Sequence, residues 1–313
     1  MDGNTFYFEI EQQIMIWLQS VFGDAGLYIG TFFSQFGELV IMICIIGFVY
    51  WCYDKDMGKQ LGVAIVTAVC LNPLVKNIAL RTRPYMDNSG IKCLRAPTDA
   101  NEDVLNIAAQ GYSFPSGHAT HSASVFGFFP FKFKHKFFLV CAIVIPFLVG
   151  LSRVMLGVHY PTDVICGWIM GYGVTFLIVF LQKRVKRKWL MHLIIFVLCS
   201  VGIFYCKSED YFTAIGVMAG VFLAFPFEER FVKFENTRKP LFCVLRLAGG
   251  GIGFAILDWL FKLPFTHEFL HNGTLVSFLV RSARYFIVVF LLIGVYPMIF
   301  KYIEGTKKVK NDS

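Results

Sequence analysis

The chain has 313 residues, 56% of them hydrophobic and only 16% charged. That balance excludes a water-soluble globular protein, and apolar runs that are continuous rather than alternating argue against a membrane β-barrel. A net charge of +8 raises nucleic acid as a partner, but in a membrane chain the first question is where the Lys and Arg lie.

Taken in chain order, residues 5–22 place Phe8, Ile14, Trp17, Leu18 and Val21 at roughly helical spacing, which predicts an amphipathic helix on the outer membrane interface. A signal peptide fits poorly, because acidic residues interrupt the stretch and no basic region precedes it. Nine membrane-crossing helices are then expected near 27–51, 60–81, 117–131, 136–157, 162–181, 189–206, 211–227, 241–262 and 277–300. The third is short and rich in small polar residues, as suits a helix packed inside the bundle. The expected fold class is all-α, a polytopic membrane helix bundle of about nine transmembrane helices plus the interfacial helix. Eight of the nine cysteines lie in or beside apolar runs and only Cys93 sits in a polar loop. An odd number without a CxxC pair reads as packing of small apolar side chains.

Alternate connections form two sets. Residues 52–59, 132–135, 183–188, 228–240 and the tail from Lys301 are basic. The other set holds the acidic start (Asp2, Glu9, Glu11, Asp24), the long loop 82–116, and 158–161, 207–210 and 263–276. The positive-inside rule then puts the N-terminus outside, the C-terminus in the cytoplasm and the loops around 82–116 and 158–161 on the outer face. Much of the charge is thereby topological, and no nucleic-acid partner is needed.

Three segments carry polar residues to that outer side. In KNIALRTRP, Lys76 and Arg83 are seven residues apart, a spacing that returns close to the same helix face, and Pro84 is expected to end that helix; snorkelling to headgroups is the plain alternative. In YSFPSGHATH, Pro115 and Ser116 read as a helix start, Gly117 allows close backbone approach to an anion, and His118 falls in the first turn, either as a cap or as a functional group. In LSRVMLGVHYPTDV, Arg153 adds a cation, and Asp163 in the first turn of a Pro161-initiated helix can reach back to His159. The plain reading there is a helix-start acid beside an incidental histidine. The joint occurrence of three cations, two helix starts, two histidines and an aspartate on one side points to a phosphate site.

These residues, Lys76-x6-Arg83-Pro84, Pro115-Ser116-Gly117-His118 and Ser152-Arg153-x5-His159-x3-Asp163, resemble the three-part signature of the type-2 phosphatidic acid phosphatase and vanadium haloperoxidase superfamily. The resemblance covers residues 76–163 and implies a phosphatase core of about five spans (27–182); the interfacial helix (1–26) precedes it, and an extension of about four spans with a basic tail (183–313) falls outside what the motifs support. It implies a phosphohistidine route without metal or other cofactor. His159, oriented by Asp163, attacks phosphorus; His118 protonates the leaving oxygen and later helps to activate water; Lys76, Arg83, Arg153, the Ser116 hydroxyl and the Gly117 N–H hold the phosphoryl oxygens.

A charged pocket at the outer ends of apolar helices suits a lipid phosphate whose tail stays in the bilayer: phosphatidate-like, a polyprenyl diphosphate or a sphingoid phosphate. A soluble sugar phosphate, as in a glucose-6-phosphatase-like branch, is the alternative substrate. A lipid-binding or transport protein on the same scaffold is the alternative function, disfavoured by the complete His159, Asp163 and His118 set; a haloperoxidase is disfavoured because those enzymes are characteristically soluble. The setting is the cell membrane in a bacterium or the endoplasmic reticulum in a eukaryote, with homo-oligomerisation open. Lys92, Arg95, Asp99, Glu102 and Asp103 form either a headgroup-reading lid or a solvated loop. Five charges stand outside the signature: Glu38, Arg246, Asp258, Arg281 and Arg284. Ion pairing between helices is expected for them, with Glu38 paired to one outer arginine. Asn272-Gly273-Thr274 matches a glycosylation sequon.

Overall fold

The computed structural model describes residues 3–87, 90–98 and 100–303. Asp2, Asp99 and the tail from 304 onward lie outside the described residues. The chain is an integral, multi-pass all-α protein: seven helical segments are long and apolar enough to cross a membrane, and among the described residues the β structure is one isolated parallel bridge, Asn4 with Arg81.

The helices in chain order are α1 (Glu9–Phe22), α2 (Ala25–Ser34), α3 (Leu39–Phe48), α4 (Lys55–Ala79), α5 (Pro84–Asp87), α6 (Ile107–Gln110), α7 (Gly117–Phe128) and α8 (Lys136–Met155). They continue with α9 (Pro161–Arg184), α10 (Lys188–Ser200), α11 (Glu209–Phe227), α12 (Pro240–Lys262), α13 (His267–His271), α14 (Leu275–Phe290) and α15 (Phe300–Ile303). The nine expected spans all correspond to helical segments. Two fall short of a full crossing: α7 has 12 residues, and the helix Lys188–Phe204 is the other shorter one. The first span is broken. After α2 a 3₁₀ turn, Gln35–Gly37, leads to Glu38 in extended conformation before α3 begins.

Contacts divide the chain into two units, Met1–Ile43 with Ala64–Tyr211, and Cys44–Val63 with Phe212–Ser313. In the first, α7 is the centre, packed on α8 and most closely on α9. Small residues permit this. A Cβ on Gly171 would stand 2.3 Å from the Thr120 carbonyl oxygen, and one on Gly167 would stand 2.8 Å from that of Ser116. This small-xxx-small spacing lets two backbones touch where lipid supplies no hydrophobic drive. The Ser124 and Thr175 hydroxyls bond across the same contact at 2.9 Å.

The helix α1 turns Glu11, Met15 and Leu18 into the protein. Ile10, Ile14, Trp17 and Val21 form its exposed apolar stripe. Of the expected apolar face, Leu18 thus packs inward, while Ile14, Trp17 and Val21 point away from the protein. Its neighbour Gln19 holds the loop at Lys92, donating to the carbonyl at 2.8 Å and accepting from the N–H at 3.0 Å.

In the second unit, Asp258, Arg284 and Arg246, three of the charges outside the signature, have partners within the fold. Arg284 on α14 meets Asp258 on α12 at 3.1 Å, and Lys262 meets the same carboxylate at 2.7 Å. Arg246 donates to the carbonyls of Trp51 and Glu235 and stacks over Phe300. The buried Glu228 is neutralised by Lys55 at 2.7 Å and Lys59 at 3.7 Å. A carboxylate taken out of water needs such partners.

Candidate active site

The site lies in the first unit, where the C-terminal ends of α4 and α8 meet the N-terminal ends of α7 and α9. The chain between α8 and α9 carries His159. Pro161 occupies the first position of α9, where a missing N–H costs nothing. Asp163 is then in the first turn, and its Oδ2 reaches back to accept from the Tyr160 N–H at 2.8 Å. The same oxygen lies 3.5 Å from His159 Nδ1. Asp163 also accepts at its backbone carbonyl from the Ser116 N–H at 2.9 Å, which ties the two signature segments together.

His159 is 2% exposed. With Nδ1 towards Asp163, its Nε2 faces the Arg83 guanidinium, 3.4 Å from NH1. Burial first, and then Arg83, Arg153, Lys76 and His118 in turn, hold the imidazole well below its ordinary value of 6.5. His159 is therefore neutral at pH 7, with a lone pair available for a nucleophile. The segments separated in sequence meet here through hydrogen bonds, from Arg83 to Val158 and from Ser116 to Asp163.

The cations are held in different ways. Arg83 is fixed by backbone: Nε donates to the carbonyls of Gln110 and Gly111 at 3.1 and 3.0 Å, NH2 to Gln110 at 2.7 Å, and NH1 to Val158 at 3.0 Å. Arg153 is buried and donates from NH1 to Ser34 at 2.7 Å, while its Nε has no hydrogen-bond partner among the described residues. Ser116 caps α7, its Oγ accepting from the Ala119 N–H at 3.4 Å. In front of Gly117 a Cβ would meet nothing nearer than 3.7 Å, so the helix start is open to an anion.

His118, in the first turn of α7, reaches the broken first span. Its Nε2 lies 3.2 Å from Glu38 Oε1. A cleft of about 460 Å³ adjoins it, lined by Glu38, Arg95 and Arg153 on its polar side and by Val40 and Ile41 on its apolar side.

Two expectations about the first segment are corrected. Lys76 and Arg83 do not share a helix face, because α4 ends at Ala79 and Leu80 takes a left-handed conformation, φ 53°. Pro84 does not terminate that helix either; it starts α5. The convergence of the two cations comes from the turn after α4.

That turn also delivers Arg81, which sequence reasoning missed. It is 1% exposed and lies between two acids, 2.6 Å from Asp163 Oδ1 and 3.2 Å from Glu11 Oε2. It also stacks between the rings of Tyr160 and Phe6. Glu11 in turn accepts from the Thr162 N–H and hydroxyl at 2.8 and 2.7 Å. The signal available was a third cation in KNIALRTRP with no place in the signature, and a lone acid on the apolar side of the N-terminal helix. The remaining outer-loop candidates divide: Arg95 approaches Glu38 at 4.0 Å, whereas Asp103 accepts locally from the Leu105 N–H.

Comparison with known proteins decides the family. Residues 58–187 match the PAP2 superfamily, and residues 212–308 match the transmembrane extension of PAP2 superfamily phosphatases. Phosphatidylglycerophosphatase B of Bacillus subtilis is 33% identical over 159 residues, 48% of this chain and 70% of that one. The chain belongs to the PAP2 superfamily. It is also similar to the undecaprenyl-diphosphatase of Sulfolobus acidocaldarius, 29% identical over 159 residues, 49% of this chain and 69% of the other. The lipid A 1-phosphatase of Rhizobium johnstonii is 43% identical over 122 residues, 38% of this chain and 45% of its own. No solved structure matches. As a PAP2 phosphatase the chain is a hydrolase of phosphate esters, and the PAP2 match includes all three signature segments.

Proposed function

We propose that this PAP2 phosphatase removes phosphate from a membrane lipid, a monoester or a diphosphate, through a phosphohistidine on His159 and without metal. The observation that carries this reading is the state of His159: buried, neutral, with Asp163 at Nδ1 and Arg83 at Nε2.

In the first step Nε2 bonds to phosphorus in line with the departing oxygen, and the positive charge that develops on the ring is met by Asp163. His118 gives its proton to the leaving oxygen, and in the second step it takes a proton from the water that cleaves the phosphorus–nitrogen bond. Lys76, Arg83, Arg153 and the start of α7 face the equatorial oxygens, a role that in other phosphoryl-transfer sites falls partly to Mg²⁺.

A lipid is favoured because the cleft beside the cations runs to Val40 and Ile41, and Val40 is 71% exposed. The related proteins named above act, by name, on phosphates carried by lipids. The site lies where α8 ends and α9 begins, whereas the opposite ends of these helices carry Lys136, Lys183 and Arg184. By the positive-inside rule this arrangement supports a site on the non-cytoplasmic face.

The test is phosphate release by purified protein in detergent with a chelator, comparing phosphatidate, phosphatidylglycerophosphate, a polyprenyl diphosphate and glucose 6-phosphate. Turnover of a lipid phosphate with the chelator present is expected. Turnover of glucose 6-phosphate alone contradicts the lipid reading, and turnover only after metal is added contradicts the metal-free one.

A further inference from the structure

The elements around His118 bring charged or titratable groups to it. Lys76 comes from α4, Arg153 from α8, His121 from the next turn of α7, and His159 from the turn before α9. Arg95 comes from the long loop by way of Glu38. A proton donor must carry its proton to the reacting oxygen, and cations at close range oppose that. One acid stands against them. Glu38 Oε1 is 3.2 Å from His118 Nε2.

The backbone is shaped for this contact. The first span unwinds at Gln35–Gly37 and Glu38 is extended. At Gly37 the imidazole packs onto the bare backbone, so that a Cβ there would stand 2.8 Å from His118 Cβ and 3.0 Å from Cδ2. The break therefore seats the ring on one residue and presents a carboxylate from the next. An unbroken helix would do neither.

We propose that Glu38 is a positioning residue for the proposed proton donor: its carboxylate holds the Nε2–H of His118, keeping the ring protonated and directing Nδ1 to the leaving oxygen. This inference rests on the reading of His118 as the acid. Once the substrate's negative charge is among Lys76, Arg83 and Arg153, their opposition is largely cancelled, and Glu38 stabilises the imidazolium until the phosphorus–oxygen bond breaks. The proton on Nδ1 then passes to the departing oxygen. Nδ1 later accepts one proton from the attacking water, which restores the imidazolium beside Glu38. Asp163 stands at the other ring nitrogen of His159, 3.5 Å from Nδ1, so each histidine has its own carboxylate.

Leaving-group dependence tests this. An alkyl phosphate such as dodecyl phosphate departs as a basic alkoxide and needs the proton; p-nitrophenyl phosphate departs as a stable phenolate and hardly does. For the full-length protein in detergent, Glu38→Gln should lower kcat/KM on dodecyl phosphate by about tenfold or more, part of the 10²–10⁴ typical of a general acid. On p-nitrophenyl phosphate the loss should be within about threefold, and the alkaline limb of the dodecyl phosphate pH profile should move to lower pH. Glu38→Asp should recover part of the loss, and His118→Ala should show the same substrate split in a larger degree.

Equal losses on both substrates, or an unmoved alkaline limb, overturn the proposal and leave Glu38 a structural residue. A rise in kcat/KM on both also overturns it, because Glu38 would then be competing with the substrate for the cations. If His118→Ala itself shows no split, the reading of His118 as the acid fails, an outcome distinct from failure of Glu38 alone.

Discussion

Arg81 bridges two buried carboxylates, so replacing it by Met should damage both stability and catalysis. Arg81 NH1 to Asp163 is 2.6 Å and NH2 to Glu11 is 3.2 Å, with the arginine side chain 1% exposed. At such separations each pair carries about 5 kcal/mol of Coulomb energy at an effective dielectric of about 20, much of it offset by desolvation. Removing one partner strands the others, at a cost of about 3–5 kcal/mol. On the proposal that Asp163 orients His159, a loss of about 3 kcal/mol carried fully into the transition state corresponds to a rate loss on the order of 100-fold. Thermal unfolding in detergent and phosphate release on one preparation measure the two effects. Adding Glu11→Gln to Arg81→Met should recover about 1–3 kcal/mol of the stability, because one stranded charge is removed. Unchanged melting and kcat in Arg81→Met, or strictly additive effects in the double variant, would refute the reasoning.

Three further outcomes follow from the packing and the charges. For Glu11, burial pushes the carboxyl up, but hydrogen bonds from Phe8 and Thr162 and the charge of Arg81 more than reverse this, so its net position is below the ordinary 4.5. A lowered carboxyl stabilises the fold above its unfolded pKa and loses that contribution as pH falls through the native one; the melting curves of wild type and Glu11→Gln should thus differ above about pH 4.5 and converge below it, and parallel curves throughout would contradict this. Gly171→Val should yield little folded protein, because its Cβ would meet the Thr120 carbonyl oxygen at 2.3 Å and overpacking costs at least about 1–3 kcal/mol. Gly173→Ala, with nothing within 4 Å of the added atom, should melt no lower than wild type, and equal damage from both substitutions would show that the contact is not what matters.

The apolar runs and the helix-start residues were legible because each is a local signal. Pro161 and Asp163 begin a helix by their own chemistry, and Ser116 caps α7, so the helix starts in these two segments were legible in single stretches. The first segment was not. A continuous helix through Arg83 was the natural reading of KNIALRTRP, and nothing in Leu80 announces a left-handed turn. With that turn hidden, Arg81 read as one more membrane-edge cation, although it is the one that touches Asp163. Glu11 and Glu38 were hidden for a related reason. An acid in an apolar stretch shows that a partner must exist, but its identity depends on elements 70 or more residues away, as with Glu11 and Arg81 and with Glu38 and His118. Glu38 was expected beside an outer arginine, and Arg95 stands there at 4.0 Å, but the histidine is closer.

The most direct measurement is of the covalent intermediate. Protein mixed with excess lipid phosphate, denatured rapidly in alkali and digested, should yield one peptide heavier by one phosphoryl group, with the group on His159 and lost on acid treatment. The peptide should be unmodified in His159→Ala, which should also release no phosphate. Turnover by His159→Ala, or a phosphoryl group trapped on any other side chain, would contradict the assignment of His159 as the nucleophile.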